Sequence, residues 1–345
     1  MTSSEGFHRD MKHDNRVAIG VIGCGNITEF RHLPAIVSEV PELDLKAICN
    51  RSEHNLHLLG DRYCVPREDR YTDYHKLLER DDIQAILIAV SPAANYEIVP
   101  KATKVGKHVF VEKPMAETAQ QARLIVESVE RAGVKLQVGF NKRYYYAYRK
   151  ASELIQGGRL GIPTGVIARF WFSASHRSLS VRDQVVAQNG VHMLDLVQFL
   201  LGPVCEVFAR ERVIKDRATV EATLVFQSGA VGSVLLSSCG SWSYPDERIE
   251  VVGSNGCCLS AENGRRLVIF CENEPALYFE NSISAHWLTG HEEAGFTLQL
   301  RAFAHSILSN QPIEIGHRDG LRSVLLAEAI RESLETHQLR IVPLD

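Results

Sequence analysis

Val17-Ala18-Ile19-Gly20-Val21-Ile22-Gly23-Cys24-Gly25-Asn26-Ile27-Thr28 is a short apolar run, a turn holding Gly23 and Gly25, and the start of an apolar-periodic segment that continues to Val40. A strand, a tight turn and a helix in that order form the seat of a pyrophosphate. Gly23 and Gly25 permit the turn and a close approach of the backbone, and the N–H groups that open the helix at Asn26 and Ile27 face the anion. Thr28 stands where this fingerprint prefers Gly or Ala. Its branched side chain is expected to loosen the packing of helix on strand without abolishing the turn.

Outward from that turn, apolar runs alternate with helical periodicity. The pattern predicts strands over Val17 to Ile22, Leu45 to Cys49, Ala85 to Val90, His108 to Val111 and Lys135 to Gly139. Between them it predicts helices over Ile27 to Val40, Ser52 to Tyr63, Tyr74 to Arg80, Ala93 to Val105 and Thr118 to Ala132, with Gly106 and Gly133 as C-caps. Such alternation means a parallel sheet covered on both faces, an α/β dinucleotide-binding domain of the Rossmann kind over residues 16–141. Residues 1–15 read as a disordered leader.

From residue 142 to 345 the pattern changes. Helices are predicted over Tyr145 to Gln156 and Val191 to Leu201, and strands over Thr164 to Phe172, Arg248 to Val252 and Arg266 to Phe270. A hairpin joins Ala218 to Phe226 with Ala230 to Ser237 through Gln227-Ser228-Gly229. Two last helices, Phe296 to Leu308 and Leu321 to Thr336, are expected to pack back on the molecule. The result is an α+β domain with a large, open, mostly antiparallel sheet, whose bare face calls for a second copy of the chain in a homo-dimer or homo-tetramer.

The chain has 345 residues, 45% apolar and 23% charged, with a net charge of -4. These values fit a two-domain globular enzyme and offer no basic field to nucleic acid or an anionic membrane. The leader lacks the apolar core of a signal peptide and no stretch approaches a membrane span, so the expected location is the cytoplasm. Cys24, Cys49, Cys64, Cys205, Cys239, Cys257, Cys258 and Cys271 form no CxxC pair and are expected as reduced thiols. The 14 histidines are dispersed, and His54 and His57 lack a third ligand, so no metal is implied.

Two positions bear directly on chemistry. Lys113, in Glu112-Lys113-Pro114 after the run His108 to Val111, puts an ammonium at a strand end beside the dinucleotide, where a hydroxyl becomes a carbonyl. At the end of the second strand a NAD-specific site carries Asp or Glu for the ribose 2′-hydroxyl. This chain has Asn50-Arg51-Ser52. The amide still hydrogen-bonds a hydroxyl, and Arg51 suits a 2′-phosphate, so the cofactor is read as NAD(P) with a slight lean to NADP.

Gly23-Cys24-Gly25-Asn26-Ile27-Thr28, Gly106 to Pro114, Val138-Gly139-Phe140-Asn141-Lys142-Arg143 and Asn189-Gly190-Val191-His192-Met193-Leu194-Asp195 occur in this order. Together they resemble the glucose-fructose oxidoreductase / inositol dehydrogenase / rhizopine-catabolism (Gfo/Idh/MocA) family across nearly the whole chain. The resemblance implies NAD(P)-dependent oxidoreduction of a secondary hydroxyl or ketone in a sugar, cyclitol or derivative. It places Ser91 and Pro92 beside the nicotinamide ribose, with Tyr96 where relatives often have histidine. It also implies His192 as general base, a task that suits an imidazole.

Gln188, His192 and Asp195 are spaced to share one helix face. The family usually carries aspartate at the Gln188 position, and glutamine neither shuttles a proton nor raises the histidine's pKa. Either Lys113 and His192 suffice, with Gln188 orienting substrate, or the site is degraded and the chain is an NAD(P)-binding regulator. Arg143, Tyr144, Asn189, Trp171, His176 and Arg177 are candidate polar or stacking contacts to a polyol, and Arg143, Arg169 and Arg177 suit an anionic group on it.

Overall fold

The computed structural model describes residues 16–173, 179–241, 246–281 and 295–344. The leader and the candidates His176 and Arg177 lie outside the described residues. The first domain is built on six parallel strands: β1 (Val17–Ile22), β2 (Leu43–Cys49), β3 (Arg70–Tyr71), β4 (Ala85–Ile88), β5 (His108–Val111) and β6 (Leu136–Val138). Their spatial order is β3-β2-β1-β4-β5-β6, and every adjacent pair is parallel. The order reverses between β1 and β4, and ligands of such sheets bind beyond the strand C-termini at that reversal. Helices α1 (Glu53–Arg62), α2 (Tyr74–Leu78), α3 (Pro92–Lys104) and α4 (Ala119–Ala132) complete the alternation. Thr118 caps α4 by accepting from the Gln121 N–H, and Gly133 closes it at φ 65°, a left-handed cap that favours glycine.

The helix predicted from Ile27 to Val40 is present as a continuous helical run over residues 26–39, but it is wound as two wide π-helical stretches, Thr28–His32 and Ala35–Glu39. Pro34 lies between them and has no N–H to continue a regular ladder. Thr28 is fully buried, and its hydroxyl donates to the Gly23 carbonyl at 2.6 Å, so the branched residue at the turn is satisfied in place.

In the second domain α5 (Tyr146–Gln156), β7 (Pro163–Trp171), α6 (Val181–Asp183) and α7 (Val191–Leu201) precede a run of strands. These are β8 (Val204–Ile214), β9 (Arg217–Phe226), β10 (Val231–Ser237), β11 (Asp246–Gly253), β12 (Cys257–Glu262), β13 (Arg266–Cys271) and β14 (Leu277–Glu280). Helices α8 (Phe296–Leu308) and α9 (His317–Thr336) and the short β15 (Arg340–Ile341) end the chain. The nine strands run β14-β13-β12-β11-β7-β10-β9-β8-β15. Among the described strands of this sheet only β7 and β10 pair in parallel, and β7 lies at the centre of the open sheet. Helices α5, α7 and α9 cover one face. On the other, Ile167, Val231 and Val252 are 62%, 56% and 49% exposed.

The register corrects one expectation. Cys257 and Cys271 sit directly opposite each other on β12 and β13 and form a disulfide, with Cα atoms 4.1 Å apart. Their separation of 14 residues carries no sequence signal; the antiparallel pairing creates the contact. The other six cysteines are free. Among the described residues no helix is long and apolar enough to cross a membrane.

The last two helices return to the first domain. Leu300, Phe303 and Ala304 of α8 enter the same core as Val17, Ile19, Val21 and Phe110, and α9 lies against α4 and β6. Phe303 meets Phe110 edge-on at 5.9 Å, and neither ring is exposed. Phe303→Ala is expected to lower stability by about 3–5 kcal/mol, the usual cost of truncating a buried aromatic. Chemical denaturation checks it; a loss below about 1 kcal/mol would mean that α8 does not belong to that core.

Candidate active site

Strand β5 delivers Glu112 and Lys113 to the C-terminal edge of the parallel sheet. The Lys113 ammonium donates to the Gln188 backbone carbonyl at 2.8 Å, which joins this edge to the segment leading into α7. Asn95, fully buried on α3, donates to the Pro114 carbonyl at 3.3 Å and ties the start of α3 to the same loop. Gln188 lies on a π-helical turn, Gln184–Asn189. A Cβ at Gly190 would fall 2.3 Å from the Val185 carbonyl oxygen, so only glycine lets this turn run into α7. Asn189 is held within the turn, donating to the Gln184 carbonyl at 3.0 Å. His192 follows in the first turn of α7, with its Nδ1 buried and without a hydrogen-bond partner among the described residues.

The site is organised by cations. Lys113 keeps partial solvent contact but is packed round by protein, and burial draws its pKa down to about 8. The Glu112 carboxylate resists that fall and the Lys142 charge adds to it. Burial holds His192 well below the usual histidine range, and Lys113 and Lys142 push in the same direction. The imidazole is therefore neutral through the physiological range, with a lone pair to offer. No carboxylate stands one turn before it, because residue 188 is glutamine.

The glycine turn suits a dinucleotide. Gly23 has φ 102°, and a Cβ there would lie 2.2 Å from the Ala89 oxygen, so no other residue fits the crossing from β1. A Cβ on Gly25 would meet nothing within 4 Å, which leaves room for a phosphate against the backbone. Gly25 and Asn26 are exposed and Ile27 is half-buried at the helix opening. The Asn50 side chain is tied to this turn: its oxygen accepts the Cys24 N–H at 3.1 Å, and its nitrogen donates to the Ser52 carbonyl at 3.1 Å. Arg51 and Ser91 are exposed at the ends of β2 and β4, and Pro92 opens α3.

Other candidates are placed elsewhere. The Glu112 carboxylate turns inward to His32, 2.8 Å away. Arg143 is buried and forms a two-toothed pair with Asp195 at 2.8 and 2.6 Å, with Asp319 at 3.2 Å. Asp195 thus serves Arg143 rather than His192. Tyr144 is buried at 4% exposure. Strand alternation puts Arg169 and Trp171 on the face opposite Phe170, where Arg169 pairs with Asp246. Lys142 belongs to the family-like run Val138 to Arg143, yet nothing in that run predicts its charge at the site. It is buried, paired with Glu247 and 3.8 Å from the Phe170 ring centroid. Nothing local marks its pairing, since Glu247 lies 105 positions on.

A parallel sheet with a glycine turn at its switch point, facing a lysine and a neutral histidine, defines a dinucleotide-binding oxidoreductase of two domains. Residues 17–140 match the oxidoreductase family with an NAD-binding Rossmann fold, and residues 148–258 match the GFO/IDH/MocA C-terminal domain. The chain belongs to this Gfo/Idh/MocA family and is an NAD(P)-dependent dehydrogenase or reductase. It is 28% identical to myo-inositol 2-dehydrogenase of Thermotoga maritima over 328 residues, covering 92% of this chain and 96% of that one. A crystal structure of a probable dehydrogenase from Thermotoga maritima superposes with TM-score 0.80 at 26% identity, covering 94% and 99% of the two chains. Levoglucosan dehydrogenase in complex with NADH and L-sorbose shares the fold, with TM-score 0.84 at 19% identity over 96% and 100%.

A carboxylate placed at residue 188 tests the electrostatic reading. An anion beside His192 favours the imidazolium, so Gln188→Asp is expected to move the acid limb of kcat/KM to higher pH by about one unit or more. A limb that stays in place in a folded, active variant would show that residue 188 and His192 act in separate environments.

Proposed function

We propose that this protein transfers hydride between NAD(P) and a secondary hydroxyl or ketone of a cyclitol or sugar, with Lys113 and His192 as the polar catalytic pair. The observation that carries this is the hydrogen bond from Lys113 to the Gln188 carbonyl, which brings the cofactor edge and the start of α7 into one site. The similarity to myo-inositol 2-dehydrogenase supports a polyol. Gly23, Gly25, Asn26 and Ile27 would hold the pyrophosphate, Asn50 and Arg51 the adenosine ribose, and Ser91 and Pro92 the second ribose. A bound nicotinamide supplies the hydride acceptor, or the donor in the reverse direction.

The division of labour follows from charge. In the oxidation direction neutral His192 takes the hydroxyl proton, and the Lys113 ammonium stabilises the negative charge that develops on the oxygen. Gln188 and Asn189 lie between them in the chain and orient the neighbouring hydroxyls. The base must be unprotonated, so its limb lies well below pH 6.5; the lysine must be protonated, so activity falls as pH rises through about 8. Lys113→Ala is expected to lower kcat by ~10²- to 10⁴-fold and to abolish the alkaline limb. Normal turnover with a panel of cyclitols and aldoses would remove the lysine from the mechanism, and a profile that rises through pH 8 would make it the base instead.

Asn50 and Arg51 support the lean to NADP, since no carboxylate repels a 2′-phosphate at the end of β2. Asn50→Asp preserves the acceptor for Cys24 and is expected to favour NAD, read as the ratio of the two dissociation constants. An unchanged ratio would place the adenosine ribose away from residue 50. The open face carrying Ile167, Val231 and Val252 supports assembly into a homo-dimer or homo-tetramer through the sheet.

A further inference from the structure

His32 is fully buried, yet it belongs to the π-helical turn that directly follows the glycine-rich phosphate seat. Its Nε2–H donates to Glu112 Oε1 at 2.8 Å. The other oxygen of that carboxylate accepts the Lys113 backbone N–H at 3.1 Å. One side chain therefore connects the phosphate-binding helix to the main chain of the lysine. The contact is closely fitted: Phe110 and Phe296 meet the imidazole edge-on at 5.5 and 5.7 Å. Gly139 leaves room for the carboxylate, because a Cβ there would stand 3.0 Å from Glu112 Oε1.

A buried polar pair in an apolar pocket is an expensive way to gain stability, since well-packed apolar side chains often serve as well or better. What it does supply is direction, two hydrogen bonds from one carboxylate at fixed angles. Among the described residues the His32 Nδ1 has no partner, and the ring is held through Nε2 and its aromatic neighbours.

We propose that the buried His32–Glu112 pair is a positioning device that sets the Lys113 ammonium according to the seat of the phosphate-binding helix. Glu112 and His32 are positioning residues; neither touches the reacting atoms. The inference rests on the catalytic reading of Lys113 given above. The charged and titratable groups that bear on the Lys113 ammonium are Glu112 from β5's own loop, Lys142 from the turn after β6 and His192 from α7. Glu112 is the one that favours its charged form.

Two variants separate positioning from mere support. His32→Leu removes the donor, and His32→Gln returns a nitrogen near the Nε2 position. The leucine variant is expected to lose ~10- to 100-fold in kcat, with substrate KM changed less than about threefold, and the glutamine variant to recover most of the loss. Glu112→Gln keeps the shape and removes the charge. The pH dependence of Lys113 modification by trinitrobenzenesulfonate in the cofactor-free protein, read by peptide mass spectrometry, is expected to shift to lower pH in that variant. This measurement needs neither cofactor nor turnover, so it stands even if the proposed substrate class is wrong. If His32→Leu folds and retains normal kcat, or if Glu112→Gln leaves the Lys113 titration unchanged, the proposal is overturned. Should His32→Leu fail to fold, the Glu112→Gln titration decides alone.

Discussion

Two adjacent cations hold the architecture of this protein in register. Lys142 and Arg143 follow β6 on a single tight turn, and both are buried. Successive side chains leave such a turn in different directions, so each collects a different part of the second domain. Lys142 pairs with Glu247 of β11, whose second oxygen accepts from the Tyr148 hydroxyl at 3.2 Å. Arg143 pairs with Asp195 of α7 and Asp319 of α9. Burial works against the guanidinium charge, but the two carboxylates more than offset it and raise its pKa. The central sheet, the helix that bears His192 and the helix that returns to the first domain are thus referred to one point at the end of β6. Breaking such a pair by removing one partner typically costs about 3–5 kcal/mol, because an unpaired charge remains inside.

That constraint has a chemical consequence at the site. The same turn that anchors the second domain places the Lys142 charge where it bears on both Lys113 and His192. With glutamine at 188 no carboxylate stands one helical turn before His192 to favour its charged form. Burial is the first cause at both groups: at His192 the Lys113 and Lys142 charges add to it, whereas at Lys113 the Glu112 carboxylate opposes it and Lys142 adds to it. Catalysis of this kind depends on keeping two groups in opposite protonation states over the same pH range. On the proposed reading of the site, one desolvated imidazole and one ammonium supported by Glu112 meet that requirement.

Much of this was written in local sequence. Val17 to Thr28 determined the first strand, the turn and the direction of the phosphate-binding helix, because strand period, glycine tolerance and helix opening are local properties. Lys113 at a strand end before proline, and His192 at the start of an apolar helix, were likewise legible by position. Local signals misled where tertiary contacts override them. Pro34 and the packing of α8 against the first helix accompany π-helical turns where periodicity predicts a regular helix. Strand β8 carries no clear alternation in sequence, because the exposed Arg210 and Arg212 in its second half mask the buried Val204, Val207 and Ala209.

Partnership was decided only by the folded chain. Arg143 resembles a substrate ligand in sequence, yet Asp195, 52 positions on, claims it. Glu112 and His32 are separated by 80 residues, and Lys142 and Glu247 by 105. Cys257 and Cys271 become a pair only through the antiparallel register of β12 and β13. The sequence by itself determined which side chains stand at strand ends and helix starts, since backbone periodicity is short-range. Which charges neutralise one another, and which remain free to do chemistry, depended on packing between distant segments, because burial sets both the cost of a charge and the choice of its partner.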